Sequence, residues 1–334
     1  LSALREACGF LWHRHDQAIL SILAARHGAR AQSARTFCAR YKTSSELSKQ
    51  NWKTDGSDRN MAVESELDET GFPHGVPLLA QHRGLIRCFA GLQFDFDQGS
   101  RAFVLGNGPS LRGFDFERLR DFDVFGMNAA YRHWDRIGVY PRYYACLDLV
   151  VGLSHLEEIR RLIENAKSLG MRAFLLRGNL VEALGPLKNA DLVINFDLLK
   201  VGLPELSAPT ITTGSHTTAW AAALGYREVY LLGIDCNYVE ILDQAKKGEG
   251  TELTIVEAPE NNPNYFFDDY QQPGDRYNIP NPNRDVHLES WREVADLIRD
   301  GQSRVLNANP LSKVDALDFC DLEQALEGEV TEIG

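Results

Sequence analysis

From residue 101 onward the chain alternates short apolar runs with longer amphipathic stretches. The runs at 102–105, 124–126, 142–147, 173–176, 192–194, 228–233 and 304–306 read as strands, each short and most of them flanked by Gly, Pro, Asn or Asp. The one at 228–233 is the strongest. Helical spacing covers roughly 153–169, 216–225, 287–299 and 311–326. Strands alternating with helices predict an α/β fold, a mainly parallel sheet with helices on both faces. Sheets of this kind bind ligands outside the carboxyl ends of their strands. No internal repeat is visible.

The first hundred residues have a different texture. Residues 1–42 form a predicted helical segment, with apolar positions at Ala18, Leu20, Ile22, Leu23 and Ala25. Residues 43–100 are polar and read as a linker and loop-rich region. The α/β domain is expected over 101–334, with a long lid over 236–286. The stretch His13-Arg14-His15-Asp16-Gln17 before an apolar helix resembles the closing helix of some glycosyltransferase domains, and equally suits a plain helix start. Segment 1–42 is therefore either the tail of another domain or a helical arm. The first residue is Leu1 rather than Met, as in an excised or processed piece.

Composition narrows the function classes. Over 334 residues, 44% are hydrophobic and 25% charged, enough for a sizeable core and unlike a disordered or disulfide-dense chain. Lys plus Arg is 35 against 47 Asp plus Glu, a net charge of −12 that argues against nucleic acid as a partner. No apolar run approaches the ~20 residues of a membrane span, and no signal-peptide core is visible. At most a peripheral contact with the inner membrane is expected. Cys8, Cys38, Cys88, Cys146, Cys236 and Cys320 form no CxxC pair, which fits a reduced, cytoplasmic protein.

Several constellations could carry chemistry. Gly106-Asn107-Gly108-Pro109-Ser110-Leu111 follows a strand directly. Its glycines permit a tight turn and a close approach to a ligand, and Pro109 suits the first turn of a helix whose N–H groups attract anions. Leu111 occupies the third glycine position of a dinucleotide fingerprint, so that motif is absent. A plain strand-to-helix turn is the bland alternative. Asn128 ends the next strand and offers both a donor and an acceptor to a base or sugar edge. Thr210-Ile211-Thr212-Thr213-Gly214-Ser215 opens an alanine-rich helix and makes a second anion site. The strand at 228–233 delivers Asp235, Cys236, Asn237 and Tyr238 to the sheet edge, where Asp235 either meets a ligand or caps the following turn. A long aromatic stretch, 261–283, then precedes His287 at a helix start. His287 is there a catalyst or an ordinary surface or capping residue.

In this order the pieces resemble the bacterial sialyltransferases that use CMP-activated sialic acid. The resemblance runs from about residue 102 to 326 and rests on G-N-G-P-S-L at 106–111, Asn128, I-T-T-G at 211–214, A-L-G-Y-R-E-V-Y-L-L-G-I-D at 223–235, His287, and N-A-N-P-L-S at 307–312. It implies a Rossmann-like, GT-A-like nucleotide-sugar transferase fold. It also implies donor binding by Gly106, Asn107, Gly108, Ser110, Asn128, Asp148, Thr212, Thr213, Gly214, Ser215, Asp235 and Asn237. Tyr238, Tyr265, Tyr270 and Tyr277 would hold the leaving phosphate, and His287 would be the general base. Asp148 stands where the family often has Asn, Thr210 where it has Arg, Ala129 where a polar residue follows, and Asn237 where a tyrosine is expected. Sialic acid, Kdo or a related CMP-activated acid all fit.

The implied activity is glycosyl transfer from a CMP-activated acidic sugar to a glycan acceptor, of lipooligosaccharide or capsule type, in polysaccharide biosynthesis. CMP leaves as a phosphate that hydrogen-bond donors can stabilise, so no metal and no separate cofactor are expected. Asp95-Phe96-Asp97 and Asp121-Phe122-Asp123 mimic a metal-binding DxD, but amphipathic alternation accounts for both. Two alternatives stay open. One is a Mg²⁺-dependent pterin pyrophosphokinase-like enzyme using Asp148, Asp235, Asp268 and Asp269. The other is a non-catalytic nucleotide-sugar-binding module. An oligomer is compatible with either.

Overall fold

The structure is a computed structural model and describes residues 101–299, 301 and 303–327. The helical segment 1–42, the linker 43–100, the Asp95–Asp97 motif, Cys8, Cys38 and Cys88 lie outside the described residues.

The central element is an eight-stranded parallel sheet. Its strands are β1 (Arg101–Leu105), β2 (Asp123–Met127), β3 (Tyr143–Cys146), β4 (Ala173–Leu176), β5 (Val193–Asn195), β6 (Glu228–Leu232), β10 (Arg304–Asn307) and β11 (Asp318–Phe319). They lie in the spatial order β11-β10-β6-β1-β2-β3-β4-β5. Seven of the strands correspond to the runs expected from the sequence. Side-chain alternation explains why such short runs hold: Phe103, Leu105, Val124, Tyr144 and Cys146 pack into one core, and Ala102, Val104, Phe125, Tyr143 and Ala145 into the other.

Helices cover both faces. On the first core lie α1 (Tyr131–Ile137), α3 (Leu156–Glu164) and α4 (Gly178–Leu184), which connect the strands running outward from β2 to β5; α2 (Leu149–Ser154) precedes α3. α5 (Phe196–Gly202), α6 (Thr213–Leu224) and α7 (Val286–Ile298) pack on the second core. The chain thus winds one way from β1 and, through α6, the other way to β6, and the strand order reverses between β1 and β6. That reversal opens a crevice at the carboxyl edge of the sheet.

One expectation needs correction. The helix expected at 311–326 is limited to α8 (Leu322–Glu327). Leu311 is 86% exposed, Ser312 donates its hydroxyl to the Ile234 carbonyl (2.6 Å), Val314 is buried in the second core and Asp318–Phe319 form β11, so most of the segment is a pinned loop and a short strand. The stretch 236–286, expected as a lid, carries secondary structure of its own. It holds an antiparallel three-stranded sheet, β7 (Ala245–Lys247), β8 (Glu252–Ile255) and β9 (Arg276–Asn278), around Leu253, Ile255 and Tyr277. Among the described residues no helix is long and apolar enough to cross a membrane.

Candidate active site

The crevice is a cavity of about 470 Å³, lined from β1, β2, β3, β4 and β6 and closed over by the 236–286 segment and the start of α7. It gathers Gly106, Asn107, Gly108, Asn128, Asp148, Thr212, Thr213, Gly214, Asp235, Asn237, Tyr238, Tyr265, Tyr270, Tyr277 and His287. Ser110 and Ser215 do not line it.

The turns after β1 and β6 are interlocked. Gly106 N–H donates to the Leu232 carbonyl (2.7 Å) and Gly108 N–H to the Gly233 carbonyl (2.9 Å). A Cβ at Gly106 would clash with the Gly233 carbonyl, and one at Gly108 with the Asp235 carboxylate. The missing side chains therefore make room for the neighbouring turn, while both glycines still line the cavity. Asp235 is likewise occupied. Its carboxylate accepts the Ser110 N–H (2.9 Å), the Ser110 hydroxyl and the Asn309 amide (2.6 Å). Both Ser110 and Asp235 act as fasteners here.

The hydroxyls before α6 are spent in the same way. Thr212 Oγ1 and Ser215 Oγ lie 2.8 Å apart, and Ser215 meets Ser290 on α7 at 2.6 Å. Thr210 bonds Glu293 through its N–H (2.9 Å) and its hydroxyl (3.0 Å). Ser215 is thereby buried behind the wall, in place of the ligand contact expected of it. Thr212 gives no side-chain cap to α6, whose first turn, with Gly214, borders the cavity. Thr213 Oγ1 accepts from Leu147 N–H (3.2 Å) and ties this turn to the end of β3.

The cavity floor carries two incompletely bonded amides. Asn128 sits in the left-handed region at φ 52°, an arrangement Asn tolerates better than most residues. Its Oδ1 and that of Asn107 are buried with no hydrogen-bond partner. Asn107 Nδ2 donates to Tyr270 Oη (3.0 Å), which also accepts from Ala129 N–H (3.3 Å). Tyr270 stacks on Tyr265 with ring centres 3.7 Å apart. Burial raises the hydroxyls of Tyr238, Tyr265, Tyr270 and Tyr277, so all four remain protonated donors.

His287 is the second residue of α7, whose N-cap is Asp285. Its ring packs on Tyr238 at 4.8 Å. Burial lowers its basicity, partly offset by Asp285, Asp148 and Glu240, so the imidazole is neutral at pH 7. Asp148 caps α2 through Val150 N–H (2.9 Å) and also accepts from Asn278 Nδ2 (3.1 Å).

The sequence reading missed His155, Arg177, Asp275 and Arg276, all of which line the cavity. Arg177 was accessible to it, since it directly follows β4 at the ligand-binding edge. Asp275 was not: it is bound by Arg132 from α1, which also donates to the Tyr270 carbonyl (2.6 Å) and so anchors the covering segment. Asp268 and Asp269 pair with Arg112 and Arg136 away from the cavity, so the four carboxylates named for the kinase alternative do not converge. Among the described residues no three His, Cys, Asp or Glu side chains are grouped as a metal site. Asp123 heads β2 at the opposite edge and bonds Arg142 and Tyr226 (both 2.5 Å), which gives it a structural role. Cys146 and Cys236 are buried, and burial pushes the Cys236 thiol up to about 12.

No protein-family model matches the chain, and neither does any curated protein. Among solved structures it is similar to the sialyltransferase CstII from Campylobacter jejuni in complex with the substrate analogue cytidine-5′-monophosphate. That match has 18% identity and a TM-score of 0.40, and covers 66% of this chain and 84% of the other. It is also similar to the monofunctional α-2,3-sialyltransferase Cst-I from Campylobacter jejuni, with 17% identity, a TM-score of 0.43, and coverage of 71% and 84%.

Proposed function

We propose that the protein is a glycosyltransferase that moves sialic acid or a Kdo-like acidic sugar from a CMP-activated donor to a glycan acceptor. The observation that carries this reading is the pair of buried, unpartnered oxygens on Asn107 and Asn128 beside the uncapped first turn of α6. A buried acceptor without a donor is costly, and two side by side suit a ligand edge rich in N–H or O–H, as in an aminopyrimidine or a ribose. The N–H groups of the α6 turn suit the phosphate attached to it.

The chemistry follows from the same wall. As the bond from the sugar to the phosphate oxygen breaks, negative charge grows on CMP. Tyr270, whose oxygen already accepts two N–H bonds, keeps its proton to donate. Tyr238, Tyr265 and Tyr277 supply further donors in a setting largely closed to water, where each counts for more than in bulk solvent. The acceptor hydroxyl loses its proton as it attacks, and neutral His287 takes it. Donor binding would draw on Asn107, Asn128, Thr213 and Gly214, with Asp148 and Asn237 toward the sugar. The reaction is proposed to need no metal.

Thermal unfolding in the presence of CMP, CDP, UDP, GDP or ATP tests this directly. A ligand at 100 times its Kd adds about 2.7 kcal/mol, a shift of roughly 5–10 °C for a domain of this size. CMP is expected to give the largest response, and transfer from a CMP-sugar to persist in excess EDTA. A larger shift with UDP or ATP, or activity abolished by EDTA and restored by Mg²⁺, would move the assignment to another nucleotide enzyme.

A further inference from the structure

Arg177 is a cavity cation that the protein engages on one side only. It follows Leu176 at the carboxyl end of β4 and occupies the N-cap position of α4 without a side-chain capping bond. Its Nε faces both carboxylate oxygens of Asp197 at 3.1 Å, and Asp197 is fixed in turn by Gly178 N–H at 2.7 Å. Among the described residues, nothing accepts from either Nη. The carboxylates around the cavity are committed. Asp235 holds Ser110 and Asn309, Asp148 holds Asn278 and the α2 turn, Asp275 holds Arg132, and Arg276 has Glu252 at 3.5 Å. Arg276 is held by that one long contact, whereas Arg177 is oriented by Asp197 and presents two free amino groups, the geometry that receives a carboxylate in a bidentate pair.

Its position along the sheet says which part of a ligand it meets. Asn107 follows β1, Asn128 follows β2, Leu147 with the α6 turn lies at β3, and Arg177 ends β4. With strands ~4.8 Å apart, Arg177 lies about 14 Å from the glycine turn. It lies beyond the α6 turn, on the far side from the amide pair. We infer that Arg177 binds the carboxylate of an acidic sugar. This rests on the reading above for the nucleotide end only. Two sources share the chemistry, the carboxylate of the donor sugar and that of an acidic sugar on the acceptor.

Wild type, Arg177→Gln and Arg177→Lys are titrated with CMP, a non-transferable CMP-sialic acid analogue and free sialic acid. Their KM values for an acidic and a neutral glycan acceptor are measured in parallel. Arg177→Gln is expected to bind CMP within about twofold of wild type and to lose about tenfold or more in affinity for the acidic ligand, as expected for loss of a charged hydrogen-bonded pair. Loss on the CMP-sialic acid analogue and free sialic acid assigns the donor; loss confined to the acidic acceptor assigns the acceptor. Arg177→Lys, which keeps the charge without the fork, should fall between and serves should the Gln variant not fold. Unchanged affinity for every acidic ligand, or equal losses for CMP and acidic ligands, overturns the inference. Arg177-dependent binding of free sialic acid by a wild type that ignores CMP would support it while removing the CMP reading.

Discussion

Ser110 donates both its backbone N–H and its hydroxyl to the carboxylate of Asp235, joining the turn after β1 to the turn after β6. Asn309 adds a third donor from the loop after β10. Three consecutive strands of the sheet are thus bound together at the edge where the cavity opens.

Asp235→Ala leaves the Ser110 and Asn309 donors without their acceptor in a buried setting. The expected loss is about 2–4 kcal/mol for several such groups. That corresponds to a fall in melting temperature of roughly 5–15 °C for a domain of this size. Calorimetry checks it, and an unchanged melting temperature would refute the fastening role.

His287→Ala is expected to reduce kcat by ~10²–10⁴ while CMP affinity stays within a few fold, as for loss of a general base. The pH profile gives a second reading. Burial holds the imidazole below its ordinary value of about 6.5, so kcat should be flat above neutrality. It should fall only as pH drops below that value and the base becomes protonated. An acid limb at or above 7, or a mutant with normal kcat, would assign the proton to another group.

Tyr270→Phe removes the proton proposed to meet the departing phosphate and leaves the Asn107 amide and the Ala129 N–H without their shared acceptor. A single donor of this kind is typically worth ~10²–10³ in kcat. Steady-state kinetics should show kcat falling more than KM rises, and a pure KM effect would place Tyr270 in ground-state binding alone.

His216 lies on the buried side of α6, bonded through Nδ1 to Ser215 (3.1 Å), and burial lowers its pKa to about 4. The unfolded chain takes up this proton near pH 6.5, before the folded one does. The contribution is therefore fully present above about 6.5 and is lost as pH falls from there toward 4, at up to ~1.4 kcal/mol per pH unit. Denaturant titrations at several pH values should show this slope, and His216→Gln should reduce it. A variant with the same slope as wild type would refute the assignment.

The sheet was readable because its strands are buried on both faces. The run at 173–176 matches β4 residue for residue, since Ala173, Phe174, Leu175 and Leu176 all lack solvent contact. β7 escaped because Ala245, Lys246 and Lys247 carry no apolar pattern, Ala245 alone packing on the small core beneath. The glycines of the 106–111 turn were visible, but not the β6 turn that fills the space beside them. The same holds for Thr210 and Ser215, whose partners Glu293 and Ser290 lie far along the chain. Polar residues at strand ends thus signalled a site without revealing which of them the fold itself consumes.

The interlock between Gly106, Gly108 and the Leu232–Gly233 carbonyls divides the cavity into halves with unequal freedom to vary. Around β1 and β6, almost any side chain added to a turn displaces the neighbouring turn, so sequence change there is paid in folding before it can alter recognition. Around β3 and β4, Asp148 and Arg177 project from single strand ends that no other turn grips so closely. New substrate preferences in relatives or in engineered variants should therefore accumulate on the β3–β4 side, while the β1–β6 side drifts only by coordinated replacement of both turns.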